Sequence, residues 1–212
     1  IAVSVFLFAA VEKIREGTRE SFERTIAGAD LVVGARSSPI GLVLYSIFHI
    51  GDATNNISWE SYQSIAGRAE VEWAIPLSLG DSHRGYRVVG TSEDMFAHYR
   101  FGEDESLRFA AGDAFADLHQ AVVGAEAARA LSYSVGQEIV LSHGTGEVSF
   151  SDHEAHPFTI VGVLAPTGTP LDRAFLVSLE SITAIHIGWQ GGAPTPLARL
   201  ASAERVRGMD LT

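Results

Sequence analysis

The sequence of 212 residues contains no cysteine. Without a thiol the chain can form no disulfide, and cysteine cannot serve it as a nucleophile or as a metal ligand. A chain of this length can bury a proper core, as one large domain or as two small ones. Hydrophobic residues make up 46% of the sequence and charged residues 19%. That balance is typical of a folded chain rather than a disordered one.

Basic residues are scarce. The chain has 15 Lys and Arg against 26 Asp and Glu, which gives a formal net charge of −11. Nucleic-acid binding needs a basic face, and broad contact with anionic lipid headgroups needs one as well. The charge opposes both interactions, and we expect no nucleic acid among the partners of this protein.

Long hydrophobic runs are missing beyond the first residues, because no later uncharged stretch approaches the ~20 residues of a transmembrane helix. The run Ile1–Val11 is apolar and uncharged, and Glu12 and Lys13 end it abruptly. At about 1.5 Å per residue, this run covers about half of a hydrocarbon core. It also lacks the Met, the basic start and the small-residue cleavage site of a signal peptide. We therefore expect the last turns of a transmembrane helix, with a buried first helix of a soluble domain as the alternative.

The sequence motifs of nucleotide-binding and hydrolytic enzymes are also missing. There is no G-x-x-x-x-G-K-[ST] loop, so the chain is not expected to hydrolyse nucleotides by itself, and there is no G-x-S-x-G nucleophile turn. Gly144 and Gly146 lack the third glycine of a dinucleotide-binding turn, since Ser149 stands in its place. We therefore expect a protein that is not an enzyme and that needs no cofactor for catalysis.

Histidine is the residue type that most invites a functional hypothesis. A short stretch of the chain contains His143, Asp152, His153 and His156. Imidazole together with carboxylate suits Zn²⁺. The spacing is not that of the H-E-x-x-H motif, because the last two histidines are three residues apart and Pro157 follows at once.

These residues could still bind a divalent metal ion from a loop. His153 and His156 would supply two ligands, and Asp152 or His143 would supply a third. If the fold allows, His186 or His83 could take that third position instead. The alternative is a solvated polar loop between two strands, and the sequence leaves both open.

Helix signals are clear in the first third of the chain. Glu12–Ala27 carries a narrow apolar stripe at steps of three and four residues among many charged residues, which predicts a helix that rises from the membrane as a stalk. Ser38 stands before Pro39, and Ser58 before an apolar periodic segment, so each serine can cap a helix. We expect those helices over Ile40–Phe48 and Trp59–Ala66.

Strand signals follow. Val71–Leu79 alternates apolar and other residues with a period of two, and this predicts a strand with one buried face, at a sheet edge because of Pro76. Gly80 and Asp81 would turn the chain into Tyr86–Thr91, forming a hairpin. Asp30–Gly34 reads as a further short strand, Glu93–Tyr99 as a helix, and Phe101–Asp113 as irregular. The later part predicts strands at 121–124, 138–143, 158–165 and 174–177, and helices at 125–131 and 179–187.

This alternation of short strands and short helices predicts an α+β fold rather than a doubly wound parallel sheet. A shift in composition places a subdomain boundary near residues 95–100. Asp172 and Arg173 follow a turn at 168–170, where an Asp beside an Arg usually stabilises the turn itself.

From Ala121 onward, the chain resembles the extracytoplasmic domain of MacB/FtsX-type ABC transporter permeases. The residues that carry this resemblance are Val122-Val123-Gly124, Ala127-Ala128, Val135-Gly136-Gln137, Phe158–Leu164 and Asp172–Val177. Two positions depart from the family pattern. Leu131-Ser132 stands where the family often has Leu-Gly, and Ser178 stands where it often has Pro.

The resemblance implies a porter-like subdomain of split βαβ type with an inserted, mostly-β sabre-like subdomain, preceded by a membrane-proximal stalk helix. It assigns residues 1–27 to the end of a transmembrane helix and the stalk. The first part of the porter-like subdomain is 28–95, the sabre-like insertion is 96–175, and 176–212 returns to an incomplete porter-like part.

The resemblance also implies a function and a location. The full permease would have four transmembrane helices in a bacterial inner membrane, with this domain in the periplasm between the first two. A separate or fused ATPase would use the ATP, a second permease subunit would pair with the first, and a periplasmic partner or lipoprotein could join them. The domain would couple ATP hydrolysis to substrate export or extraction, or to an envelope partner, without catalysis. The alternative hypothesis is a periplasmic domain that handles a divalent metal such as Zn²⁺.

Overall fold

Short helices and short strands alternate along the described part of the chain. The computed structural model describes residues 2–25, 27–51, 55–143, 156–187, 189–190 and 193–194. Its α-helices there are α1 (Ala2–Thr25), α2 (Pro39–Ser46), α3 (Trp59–Ala66), α4 (Asp94–His98), α5 (Ala125–Leu131) and α6 (Leu179–Ile185). Its strands there are β1 (Asp81–His83), β2 (Tyr86–Thr91), β3 (Arg100–Phe101), β4 (Glu105–Ser106), β5 (Phe109–Gly112), β6 (Gln120–Val123), β7 (Glu138–Ile139), β8 (Ser142–His143), β9 (Phe158–Leu164), β10 (Ala174–Ser178), β11 (Trp189–Gln190) and β12 (Ala193–Pro194). This mixture agrees with the expected α+β class.

One eight-stranded mixed sheet organises the molecule. Its strand order is β5-β9-β6-β10-β2-β1-β8, and β7 pairs with β9 beside this path. The pairs β2–β10 and β6–β9 are parallel, whereas β1–β2, β6–β10 and β5–β9 are antiparallel. A doubly wound fold would need a mostly parallel sheet, so the mixed order agrees with its exclusion.

The sheet closes on itself through one short stretch of chain. Residues 138–143 contain β7, which pairs with β9, and then β8, which pairs with β1. Because β9 and β1 stand near opposite ends of the strand order, this stretch joins the two ends into a ring of strands. We call the end of the ring where β8, β1 and the C-terminus of α6 meet the rim.

Two hydrophobic clusters lie on the two faces of this sheet. The first contains Val88, Val123, Phe158, Ile160, Phe175 and Val177 from the strands, together with Ala127, Ala128 and Ile185 from α5 and α6. The second contains Val89, Val122, Leu164 and Leu176, covered by Met95, Phe101, Leu107, Phe115 and Leu171. Neighbouring residues of one strand thus face different clusters, as the period-two geometry of a strand requires. Both faces are buried, which explains why β10 reads as a continuous apolar run.

Serine side chains cap three of the helices, and two of these caps are the predicted ones at Ser38 and Ser58. The Oγ atoms of Ser38, Ser58 and Ser178 accept hydrogen bonds from backbone N–H groups three residues later, at 2.9, 3.2 and 3.1 Å. Each bond satisfies one of the N–H groups that a helix leaves unpaired at its start. The predicted helix at Trp59–Ala66 is confirmed as α3, with the same bounds.

The strand predicted at Val71–Leu79 is wrong. Only Ser78 pairs there, through two backbone hydrogen bonds of 2.8 Å with Gly90. Pro76 is buried while Leu77 is 39% exposed, so burial does not follow the alternation in the sequence. Proline cannot donate to a ladder, and periodicity alone does not supply a partner strand.

The hairpin turn also lies elsewhere than predicted. It connects β1 to β2 at Arg84 and Gly85, whose φ angles are 48° and 81°. Two consecutive residues with positive φ form the tight turn that suits the twist of a two-stranded hairpin. Asp81, predicted to lie in a turn, is instead the first residue of β1.

Two smaller strand predictions also need correction. Residues 30–34, predicted to be a strand, form no strand, and 101–113, predicted to be irregular, contributes β4 and β5 and the end of β3. The strands at 81–91 and those at 109–178 share one sheet. The division into porter-like and sabre-like subdomains stays a prediction.

Candidate functional site

The first turns of α1 expose apolar side chains. Between 57% and 72% of the surface is exposed at Val3, Val5, Phe6, Leu7, Phe8 and Val11. These residues therefore add nothing to the core that the sheet forms. Within the described ranges, the structure contains no helix with the length and apolarity that a membrane crossing requires.

The other end of α1 is fastened to the domain. Thr25 is buried, and its carbonyl accepts a 2.9 Å hydrogen bond from the Tyr99 hydroxyl. Burial raises the pKa of Tyr99 to about 12, so this hydroxyl keeps its proton and remains a donor. Ala27 forms an antiparallel bridge to Arg100 in β3. The direction in which α1 leaves the domain is therefore set by contacts with the segment 99–100.

A second apolar surface follows α1. The exposed fractions are 78% for Leu31, 45% for Val33, 74% for Ile40 and 58% for Ile50. None of the residues of α2 is buried. We call this the 31–50 surface. Exposed apolar groups that form one patch mark interaction sites more often than isolated ones do.

His83 occupies an open cleft beside the closing stretch of the sheet. The cleft has a volume of about 350 Å³ and is lined by His83, Arg84, Tyr133, Glu138, Ile139, Val140 and Ser142. Nδ1 of His83 lies 2.6 Å from the Val140 carbonyl oxygen, and Nε2 lies 2.8 Å from the Tyr133 hydroxyl. A carbonyl can only accept, so Nδ1 donates to it, and Nε2 of the neutral ring accepts from Tyr133. Both ring nitrogens of His83 are therefore hydrogen-bonded. They connect β1 to the closing stretch at Val140 and to Tyr133, which follows the C-terminus of α5.

Asp81 and His186 form a close pair at the rim. Nε2 of His186 lies 3.5 Å from Oδ1 of Asp81, whose side chain is 2% exposed. Nδ1 of His186 lies 2.7 Å from the carbonyl oxygen of Ile182, one turn earlier in α6. Burial lowers the pKa of His186, but the interaction with the Asp81 carboxylate outweighs it and leaves that pKa above its ordinary value. The register pairs Asp81 with His143 on β8.

The predicted metal ligands are only partly described. His156 is described just before β9, where its ring stacks on that of His119 with centroids 5.5 Å apart and planes 9° apart. Burial lowers the pKa of His156. Asp152 and His153 lie outside the described residues. Among the described side chains there is no group of three or more His, Asp or Glu that could hold a metal ion. The site at His143, Asp152, His153 and His156 therefore stays a prediction.

Sequence reasoning missed two positions that the fold brings to these histidines. His119 was not singled out, yet its ring lies against His156 and its backbone has a φ of 60°. Asp81 was assigned to a turn, yet it faces His186. His186 itself was considered only as a third ligand for the loop. No local pattern marks these pairs, because residues 81 and 186 are far apart in the chain.

Comparison with models of protein families identifies a family that this chain matches. The family model of the MacB-like periplasmic core domain matches residues 1–206, nearly the whole chain. No curated protein matches the chain.

Proposed function

Because the chain belongs to the family of MacB-like periplasmic core domains, we propose that it transmits movement between the membrane and the cell envelope. Membership makes it a component of an ABC transporter permease, located outside the cytoplasm in an inner-membrane transporter. Such a transporter includes an ATPase and another permease subunit. The domain passes this movement to a periplasmic protein or lipoprotein.

The fastening of α1 to the domain carries this proposal. The apolar turns of α1 are exposed, and its C-terminal end is fixed by the Tyr99–Thr25 hydrogen bond and by the bridge between Ala27 and Arg100. A helix rises about 1.5 Å per residue and is stiff over this length. A movement of the N-terminal end of α1 would therefore be carried to β3. The segment that contains β3 supplies Phe101 and Leu107 to the second hydrophobic cluster, on one face of the sheet.

The 31–50 surface supports a contact with a further protein. Its exposed apolar side chains come directly after the fastened end of α1. The second permease subunit is the partner we propose for this surface. Exposed apolar groups gain free energy when a partner removes them from water, by about 25 cal/mol per Å².

We further propose that the domain catalyses no reaction. The sequence lacks a nucleotide-binding loop and a nucleophile turn. His83, the histidine in the cleft, uses both ring nitrogens to hold neighbouring segments. The purified chain should show no ATP or ester hydrolysis. Turnover that scales with its concentration and survives further purification would contradict this.

Gly17 offers a direct test of transmission. A Cβ placed there meets nothing within 4 Å, so Gly17→Ala is tolerated, whereas Gly17→Pro breaks the hydrogen-bond ladder of α1 and kinks it. Both variants would be made in the full-length permease, assembled with its ATPase and with any other cysteines replaced. A spin label is attached to the variant Glu103→Cys, at an exposed position of the domain. It reports the distance between the copies of this domain in the two permease subunits, with and without ATP.

We expect an ATP-dependent change of that distance in the parent protein and in Gly17→Ala, and its loss in Gly17→Pro. The melting temperature of the domain should be the same in both variants, because Gly17 lies away from the sheet. If Gly17→Pro keeps the full change, α1 does not transmit movement. If the parent protein shows no change, the domain does not move with ATP and the proposal fails.

A second candidate function is the binding of a divalent metal by the predicted ligands His143, Asp152, His153 and His156. Its support is the stack of His119 on His156, which fixes the ring of His156 just before β9, close in sequence to Asp152 and His153. Zn²⁺ at a hundredfold excess over its dissociation constant would stabilise the fold by about 2.7 kcal/mol. For a chain of this size, the melting temperature would rise by roughly 5–10 °C. The His153→Ala, His156→Ala double variant should lose that rise, and a rise that persists would exclude these ligands.

A further inference from the structure

The segment that follows the fastened end of α1 has the residues of a strand but no partner strand. Residues 31–33 are Leu-Val-Val, and β-branched side chains such as valine favour strands. Within the described ranges, residues 30–36 make no backbone–backbone hydrogen bond and no bridge to another segment. A strand-favouring segment whose N–H and C=O groups are unpaired is a template onto which another chain can add a strand.

The side chains of this segment alternate between the domain and the solvent. Leu31 and Val33 are 78% and 45% exposed, whereas Val32 and Gly34 are half-buried. Gly34 lies so close to α2 that a Cβ there would overlap the side chain of Leu42. Alternating exposure is the pattern of a strand with one free face. The segment therefore offers a partner both unpaired backbone groups and exposed apolar side chains.

Charge restricts which partner fits this segment. Asp30 and Arg36 stand at its two ends, both are exposed, and neither forms an ion pair within the described part of the chain. Residues 31–51 contain no Asp or Glu, although the whole chain has a net charge of −11. Two such chains repel each other through their acidic surfaces, and the repulsion is smaller where acidic residues are missing. The segment is thus a place where two copies can approach.

We propose that the 30–36 segment pairs with the same segment of a second copy of this chain, as two antiparallel strands related by a two-fold axis at Val33. In that register Asp30 of each copy lies opposite Arg36 of the other. A two-fold contact requires this self-complementarity, because each pair of residues occurs twice. The inference rests on the proposed function in one respect, the assignment of the 31–50 surface to a second permease subunit, and it identifies that subunit as an identical chain.

Disulfide cross-linking tests the register, since this chain contains no cysteine. In the full-length permease, with any other cysteines replaced, Val33→Cys places two thiols opposite one another across the axis. Opposite residues of an antiparallel pair have Cα atoms about 4.5–5.5 Å apart, within the range of a disulfide. Leu31→Cys is the matched control, because it is the more exposed position yet lies opposite Ala35 in this register. Membranes are treated with an oxidant in the absence of ATP, and the product of twice the subunit mass is measured.

We expect Val33→Cys to cross-link at least about tenfold faster than Leu31→Cys, because only the first places two thiols within disulfide distance. The double variant Leu31→Cys, Ala35→Cys should cross-link as fast as Val33→Cys. No cross-link at position 33, or an equal rate in Leu31→Cys alone, would overturn the pairing. The measurement without ATP separates this result from the Gly17 test, so a failure of transmission leaves the cross-link unchanged.

Charge exchange tests whether the partner is an identical copy. In the Val33→Cys protein, Asp30→Lys or Arg36→Glu puts two like-charge pairs across the axis, and the two changes together restore opposite charges. Each single variant should cross-link roughly fivefold more slowly, and the double variant should recover the parent rate. Both positions are exposed, so the melting temperature should stay at the parent value. Asp30→Asn and Arg36→Gln serve if either reversal lowers it.

Co-expression of the two single charge variants under different tags gives the sharpest result. A mixed pair of Asp30→Lys with Arg36→Glu has opposite charges at both ends, whereas each pair of identical variants has like charges at both. We therefore expect the mixed product to form at the parent rate and the two unmixed products to form slowly. Equal rates for mixed and unmixed products would show that Asp30 and Arg36 do not face each other, and the proposed pairing would be wrong.

Discussion

Single side chains join parts of this protein that are far apart in the sequence. The Tyr45 hydroxyl donates to the carbonyl oxygen of Leu79 at 2.5 Å, and Tyr99 reaches Thr25 across 74 positions. Such bonds cannot be predicted from sequence, since no spacing relates their partners. Local bonds can be predicted. The Asp172 carboxylate accepts from the N–H groups of Thr167 and Gly168, both at 2.8 Å, which confirms the predicted turn.

Tyr99→Phe should destabilise the domain by about 1–2 kcal/mol, because it removes one hydrogen bond and leaves the buried Thr25 carbonyl without that donor. Urea denaturation measures this change. Tyr62→Phe is the matched control, since its hydroxyl also donates to a backbone carbonyl, that of Ala74, at 3.0 Å but at a more exposed site. We expect the control to cost less, about 0.5 kcal/mol. Equal losses of unfolding free energy in the two variants would show that the Tyr99–Thr25 hydrogen bond stabilises the domain no more than the exposed Tyr62 bond does.

His49 should make stability depend on pH. Burial, and secondly the charge of Arg87, lower its pKa from 6.5 to about 4. Above pH 6.5 the ring is neutral whether the chain is folded or unfolded. Between pH 6.5 and about 4 only the unfolded chain takes up this proton. The free energy of unfolding therefore decreases as the pH is lowered through this range, by at most about 1.4 kcal/mol per pH unit. Urea denaturation of His49→Gln across this range should give a shallower slope than the parent protein, and identical slopes would refute the assignment.

Helices were predicted better than strands at the scale of elements. The helix α3 begins at its predicted serine cap, and α5 has the predicted bounds 125–131, because helix signals come from neighbouring residues. The segment 71–79 has an equally regular pattern and forms no strand, since a strand also needs a partner with free donors and acceptors. At the rim, the pairing of Asp81 with His186 depends on how α6 returns to the sheet. In that return α6 packs on the sheet through Ile185 of the first hydrophobic cluster, a contact that no local motif marks.

The junction of β6 and α5 should tolerate no side chain at Gly124. A Cβ there would overlap the carbonyl oxygen of Leu171 and the backbone of Asp172. Since these atoms are backbone, neither can move aside cheaply, and Gly124→Ala should cost about 1–3 kcal/mol. Gly80→Ala is the control, because nothing lies within 4 Å of its added Cβ, and its effect should stay within about 0.5 kcal/mol. Chemical denaturation measures both variants. If Gly124→Ala leaves the free energy of unfolding unchanged, the backbone of residues 171–172 can move away from Gly124 at little cost.

At the scale of the whole molecule, the described structure is a ring of strands with one long helix attached at a single end. The closing stretch pairs with both β9 and β1 and adds Ile139 and Leu141 to the first hydrophobic cluster. The helix α1 adds Thr25 to the buried residues but leaves its first apolar turns exposed. Stability should therefore depend on the last turn of α1 and not on its first turns.

Two deletions test this division of α1. Removing residues 1–11 takes away exposed side chains only, so the melting temperature should change by less than about 2 °C, and solubility should rise. Removing residues 1–25 also removes the Thr25 carbonyl that Tyr99 binds. That loss of about 1–2 kcal/mol should lower the melting temperature by roughly 3–6 °C in a chain of this size. Calorimetry of both shortened chains beside the parent makes the comparison. If the shorter deletion lowers the melting temperature as far as the longer one, the first turns of α1 belong to the core, and they are not the end of a membrane segment.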